Sequence, residues 1–221
     1  MVTATQQMPI AEIEPPRIRP VTRLDGNAKS RAILDAAARL FLVQGFGATS
    51  MHAVAAAAGI SKRTLYIHFR TKHALFAAVI QTLCARIASP SLDELDTLRV
   101  EDGLENLGCQ VLSGLCSAEQ IELFRTVVTD VRRFPELGVV LLDGPMRRIE
   151  DLFAEYFRAQ VEARKLVLHS PRRAAAQFLG LLKADLHLKL LMKPGSAVTA
   201  EAIRASVKAA VALFLNGARP L

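Results

Sequence analysis

The chain has 221 residues, 51% of them hydrophobic, enough for one large domain or two small ones around a sizeable core. Its three cysteines, Cys84, Cys109 and Cys116, are too few and too scattered for a disulfide framework, and no apolar run approaches the roughly 18–20 residues that span a bilayer. The net charge of +7 is unevenly placed: residues 1–88 hold 11 Lys/Arg against four Asp/Glu, whereas residues 89–221 hold 17 of each sign. A nucleic-acid-binding half joined to a neutral half has that footprint.

Residues 1–26 read as a tail. Pro9, Pro15, Pro16 and Pro20 interrupt any periodicity, and Arg17, Arg19 and Arg23 make its end basic. Such a segment serves either as a flexible arm along a DNA minor groove or as a leader without a role. No apolar stretch follows a basic start, so no secretory signal is expected and a cytoplasmic location follows.

Helical periodicity begins near Asn27, with Ile33, Ala37, Leu40 and Phe41 on one face, and Gly45-Phe46-Gly47 is expected to end that helix. Thr49 or Ser50 then caps a second helix over about 51–57. Gly59 supplies a turn. Ser61 caps a third helix over about 61–68, anchored by Leu65 and Phe69. A fourth starts at Thr71-Lys72 and carries the stripe Leu75, Phe76, Val79, Ile80 and Leu83, up to a break at Ser89-Pro90-Ser91. Further helices are predicted over about 92–116, 118–133, 145–166, 171–192 and 199–216, punctuated by Pro135, Gly144-Pro145, Pro171 and Pro194-Gly195. The expectation is an all-α fold of about nine helices with no sheet.

The stretch 59–72 carries the chemistry. A short helix opening with polar and basic residues just after a Gly turn is how a helix-turn-helix presents its recognition helix to the major groove. Lys62, Arg63 and Thr64 lie on its first turn as candidate readers. An Arg pairs bidentately with guanine, a Thr meets a thymine methyl, and Lys62 equally suits a phosphate. Tyr66 and His68 lie further along and suit phosphate oxygens. Thr49 and Ser50 at the start of the second helix, and Lys72 at the start of the fourth, are further candidate donors to the DNA backbone. No His/Cys metal spacing, Gly-rich phosphate loop or nucleophile–base pair is recognisable, so no metal, cofactor or catalytic residue is expected.

Residues 27–87 resemble the DNA-binding domain of TetR-family transcriptional regulators. The matching pieces are Ile33-Leu34-Asp35-Ala36-Ala37, Phe41, Gly45-Phe46, Thr49, Val54-Ala55, Ala58-Gly59-Ile60-Ser61, Thr64-Leu65-Tyr66, His68-Phe69, Lys72 and Leu75. Where such proteins often carry Gly after the residue matching Lys62, this chain has Arg63. In the second half, 124–128, 132–137 and 177–188 are similar to the C-terminal domain of the AefR-like branch, which resembles regulators of multidrug efflux or of quorum-signal genes.

After the basic arm over 1–26, the resemblance implies a helix-turn-helix domain over 27–88 and a ligand-binding and dimerisation domain over 89–221. It further implies double-stranded operator DNA as partner, a homodimer, repression more often than activation, and release by an unidentified small effector. Candidate pocket residues are Leu112, Cys116, Phe124, Phe153, Tyr156, Phe157, Phe178 and Leu181, with Tyr156 as the polar handle.

The last two long helices are expected to build a four-helix dimer interface, in which Gly180 and Ala184 permit close approach. Asp185 and His187 there are read either as a symmetric contact across the dimer or as partners of Lys183 or Lys189. Cys109 and Cys116 share a helix face about 10 Å apart along its axis, too far to bridge. An architectural DNA-binding protein without a ligand, or a helical enzyme, are the alternatives.

Overall fold

The computed structural model describes residues 28–85, 87 and 98–217. The expected arm over 1–26, the break at Ser89-Pro90-Ser91 and the predicted start of a helix near 92 lie outside the described residues. Within them the fold is all helical: α1 (Ala28–Ala48), α2 (Met51–Ala57), α3 (Lys62–His68), α4 (Lys72–Cys84), α5 (Val100–Leu115), α6 (Ala118–Asp130), α7 (Glu136–Leu141), α8 (Arg147–Glu162), α9 (Pro171–Lys183), α10 (Leu186–Met192) and α11 (Ala200–Asn216). A π turn over Leu142–Met146 joins α7 and α8 into one rod.

The first four helices form where the caps and apolar stripes placed them. Ser50, Ser61 and Thr71 each accept a hydrogen bond from the backbone N–H three residues on, at 3.0, 3.1 and 3.0 Å. Each such cap contributes about 1 kcal/mol by satisfying an orphan N–H. Between α2 and α3, Gly59 takes φ +65°. Ile60 N–H donates to the Ala55 carbonyl and Gly59 N–H to that of Ala56. These two bonds close α2 as a Schellman motif and turn the chain into α3.

Two boundaries differ from the sequence reading, those at Pro145 and Asp185, and the one at Gly45 matches it. Gly45 breaks α1 where the sequence reading ends it: it leaves helical geometry at φ +84°, ψ +165°, and one more turn follows the kink to Ala48. That kink drives Phe46 into the core between Phe41, Phe76 and Phe134, at ring-centroid distances of 5.7, 5.1 and 5.0 Å. Pro145 does not open a helix but sits inside the π turn, whose wider spacing accommodates a residue without an N–H. The rod therefore starts at Glu136 rather than near 145. The stretch 171–192 is two helices, because Asp185 leaves helical geometry at φ −103°, ψ −81°. With the rod counted once, the described residues hold ten helical segments.

A single hydrophobic cluster runs from Ile33 to Leu215. Helix α8 packs on α9, α5 on α11, and α1 on both α4 and α6, while α4 also meets α7. The seam between α1–α4 and the rest is thus made by α6 and α7. It carries polar bonds as well as apolar contact. Gly47 N–H donates to Asp130 Oδ2 at 3.0 Å, the Thr126 hydroxyl donates to the Phe41 carbonyl at 3.4 Å, and His73 pairs with Glu136.

Candidate nucleic-acid interface

Helix α3 buries Leu65 and Phe69 against the core and turns its other face outward. Lys62, Arg63 and Tyr66 are exposed on it, Arg70 is exposed just past its end, and Thr64 is half-buried with its hydroxyl 2.9 Å from that of Ser61. No Asp or Glu occurs in the sequence between Asp35 and Asp93, so the whole of α2–α4 is free of acidic side chains. A polyanion approaching this face meets cationic groups and no carboxylate from these helices. Ser50 is exposed and uses its oxygen as an acceptor for the α2 cap, which leaves its O–H to donate outward.

Three of the expected DNA donors are engaged inside the protein. Thr49 is 1% exposed, and its hydroxyl donates to the Gly45 carbonyl at 2.8 Å and lies 3.3 Å from that of Leu40. It ties down the end of α1. Lys72 directs its ammonium to the carbonyls of Phe46, Thr49 and Gly47 at 2.8, 2.9 and 3.3 Å, and sits 4.4 Å from the centre of the Phe46 ring. A helix end exposes carbonyls without partners, and Lys72 supplies them. In this structure it clamps the end of α1. Burial lowers its pKa, against which Asp130 works, while Arg133 lowers it further. His68 is half-buried with Nδ1 3.3 Å from the Ser30 hydroxyl, so it fastens α3 to α1.

The sequence reading passed over two kinds of residue. Ile67, on the outward face of α3, is 72% exposed. Asp130, Phe134 and Glu136 reach the base of the α1–α4 unit from more than 50 positions away, and nothing local in the sequence signals that.

The expected pocket residues lie in different surroundings. Phe153, Phe157 and Phe178 are fully buried and pack ring to ring with one another and with Phe214 at 5.0–6.3 Å. Tyr156 is 1% exposed, and its hydroxyl donates to the Val100 carbonyl at 3.3 Å. Leu112 is core; Phe124 is half-buried, edge-on to the buried His187 at 5.4 Å; Leu181 is half-buried. Only Cys116 of the eight borders one of the larger clefts among the described residues. That cleft, of about 450 Å³, lies between α6, the end of α10 and the loop after it, and includes Ile121, Arg125, Leu190 and Val198. Arg125 closes α10 by donating to the carbonyls of Leu191 and Leu190 at 3.1 and 2.5 Å. Burial raises the Cys116 thiol to about 11, so it stays protonated. Asp185 pairs with Lys189, one of the two lysines expected to satisfy it.

Among the described residues no helix is long and apolar enough to cross a membrane. Residues 33–79 match the family described as bacterial regulatory proteins of the tetR family, and residues 102–217 match the AefR-like transcriptional repressor C-terminal domain. The flavonoid-responsive regulator FrrA is 33% identical, with a TM-score of 0.73 over 87% of this chain and 97% of that one. A TetR-family regulator from Mesorhizobium loti MAFF303099 has the same fold at 24% identity, with a TM-score of 0.75 over 87% of this chain and 97% of its own. The HTH-type regulator YerO of Bacillus subtilis is 38% identical over 55 residues, 25% of this chain, and the chain spans only 19% of that protein's length. The chain belongs to the TetR family of transcriptional regulators, with an AefR-like C-terminal half.

Proposed function

We propose that this protein is a homodimeric repressor, acting in the cytoplasm, that leaves its operator when a small apolar or amphipathic molecule binds its C-terminal half. In this reading residues 27–88 bind double-stranded DNA, residues 89–221 dimerise and take the effector, and residues 1–26 form a basic arm. The regulated genes are those of efflux or of quorum signalling.

The observation that carries the reading is the mounting of α3. Its exposed Lys62, Arg63 and Tyr66 stand on a unit whose base is bonded directly to α6 and α7 through Asp130 and Glu136. A shift of α6 or α7 then moves the recognition helix as a rigid piece. An effector displaces the equilibrium only by binding the DNA-incompetent arrangement more tightly. For the dimer, Ala176 and Gly180 of α9 and its cap residue Ala184 recur every fourth residue and are exposed, and α11 exposes Leu213. A Cβ built on Gly180 meets nothing within 4 Å, so a partner helix has room to approach. The solved relative FrrA is described as flavonoid-responsive, which supports a planar amphipathic effector here. The cleft beside Cys116 and Arg125 offers mixed apolar and polar walls for one.

The test is selection of an operator from a randomised duplex library, followed by titration of the complex with a panel of flavonoids and other amphipathic aromatics. Release by at least one member supports the reading. Tight, sequence-selective binding that no member of a broad panel disturbs favours a DNA-binding protein without a ligand. The neutral C-terminal half of some 130 residues argues against that alternative, since sequence-independent packaging does not need it.

A further inference from the structure

Ile67 is an aliphatic side chain left 72% in water on an outward helix face that also bears Arg63 and Tyr66. Helical geometry explains its direction. Leu65 and Phe69, four apart, define the buried stripe of α3; at 100° per residue Ile67 lies close to the opposite pole, and Arg63, four residues earlier, lies beside it. These two side chains are therefore the ones that project furthest from the core. Among the described residues nothing uses Ile67. It caps no helix and fills no part of the core, and a β-branched residue is a poorer helix former at an exposed position than Arg, Lys or Gln. Isolated exposed aliphatics are common on protein surfaces. This one stands out by its place at the crest of the α3 face that bears the candidate base readers.

Resting on the reading of α3 as the recognition helix, we infer that Ile67 is a specificity-determining residue that reads the C5-methyl group of a thymine, next to the base contacted by Arg63. In the major groove a thymine methyl is the one apolar group that a base pair presents. Ile67 offers a complementary apolar tip, and its burial there removes apolar surface from water on both sides. Residues four apart on a helix are separated by about 6 Å along its axis, and successive base pairs by about 3.4 Å. Arg63 and Ile67 thus address bases one or two steps apart. The consequence is a half-site in which a guanine, held through its O6 and N7 by Arg63, lies within two steps of an obligatory thymine.

The experiment uses the full chain and an operator selected from a randomised duplex library. Each thymine of the operator is replaced singly by deoxyuridine, which keeps Watson–Crick pairing and removes only the methyl group. For the wild-type protein, one thymine position in each half-site is expected to lose about three- to fivefold in affinity on replacement. Ile67→Ala binds the parent operator several-fold more weakly, is indifferent to uracil at that position, and keeps the wild-type response at every other thymine. Ile67→Val retains part of the discrimination. The salt dependence of binding is the same in all three proteins, because no charge is removed.

Ala is a good helix former and Ile67 is exposed, so the variant folds; thermal unfolding checks this. The same uracil profile in wild type and Ile67→Ala overturns the inference and leaves the operator reading intact. Failure of the wild-type chain to select any sequence overturns both.

Discussion

The Lys72 ammonium lies 2.8 Å from the Phe46 carbonyl oxygen and 4.4 Å from the centre of the Phe46 ring, so one lysine holds both the backbone and the side chain of the same residue. The contact follows from the kink at Gly45, which brings the last turn of α1 over the start of α4. Two more carbonyls, of Gly47 and Thr49, complete the set. Lys72→Ala is therefore expected to lower folding stability by about 1–3 kcal/mol, since it leaves partly buried acceptors without a donor. Urea unfolding measures this. A phosphate contact would behave otherwise: unchanged stability with a flatter dependence of DNA affinity on salt would return Lys72 to the DNA interface.

Asp130 reaches the same corner from the other side. It accepts from Gly47 N–H at 3.0 Å, and a Cβ on Gly45 would lie 3.2 Å from its Oδ2. Asp130→Ala should loosen the joint between α6 and the end of α1 without touching α3. Amide hydrogen exchange is expected to accelerate over residues 46–49 while the core amides of α8 and α9 keep their protection. Uniform acceleration along the chain would show that Asp130 supports global stability rather than this joint.

These two residues mark where the sequence was legible and where it was not. The helices α1–α4 could be placed because Ser50, Ser61, Thr71 and Gly59 act locally: each is read against its neighbours within four positions. The outward set on α3 followed from the same periodicity. The internal partners of Thr49 and Lys72 were not legible, because they depend on the Gly45 kink and on α1 folding back, which no local pattern encodes. The break at Asp185 was missed since neither Gly nor Pro marks it. Phe153, Phe157 and Phe178 carried no local sign of whether they would line a cavity or fill one another's space.

Gly103 shows how tightly α5 and α8 are set. A Cβ there would lie 2.4 Å from the Tyr156 hydroxyl oxygen and 3.1 Å from Cζ. Replacing a helical Gly by Ala ordinarily gains about 0.5–1 kcal/mol, but overpacking costs about 1–3 kcal/mol, and the clash should win. Gly103→Ala is thus expected to destabilise the protein, and Tyr156→Phe in the same chain to recover part of the loss by removing the nearest atom. A double-mutant cycle in urea tests the pair. Independent, additive effects would mean that Tyr156 is free to move away.

Arg63 separates two kinds of DNA contact. A bidentate bond to a guanine predicts that Arg63→Ala loses about 1–3 kcal/mol at one base position of each half-site and little elsewhere. Binding to single-substitution variants of the selected operator gives the profile directly. Equal weakening on every variant, together with a reduced salt slope, would instead assign Arg63 to a phosphate.

His187 gives the protein an acid dependence of predictable sign. Its ring is buried edge-on to Phe124, and burial, followed by the nearby Lys183 ammonium, pushes its pKa down from 6.5 to about 4. The folded state then binds a proton less readily than the unfolded chain. Stability is full above about 6.5, falls as the pH drops from there towards 4, and levels off below that value. Between pH 7 and 5 the loss from this group should be about 1–2 kcal/mol. His187→Leu keeps an apolar side chain at the site and removes the titration. Urea unfolding of both proteins at pH 7 and 5 should therefore show a steeper fall for the wild type. Parallel losses in the two proteins would mean that the acid sensitivity arises from another group, and that the His187 ring takes up its proton in the folded state as easily as in the unfolded one.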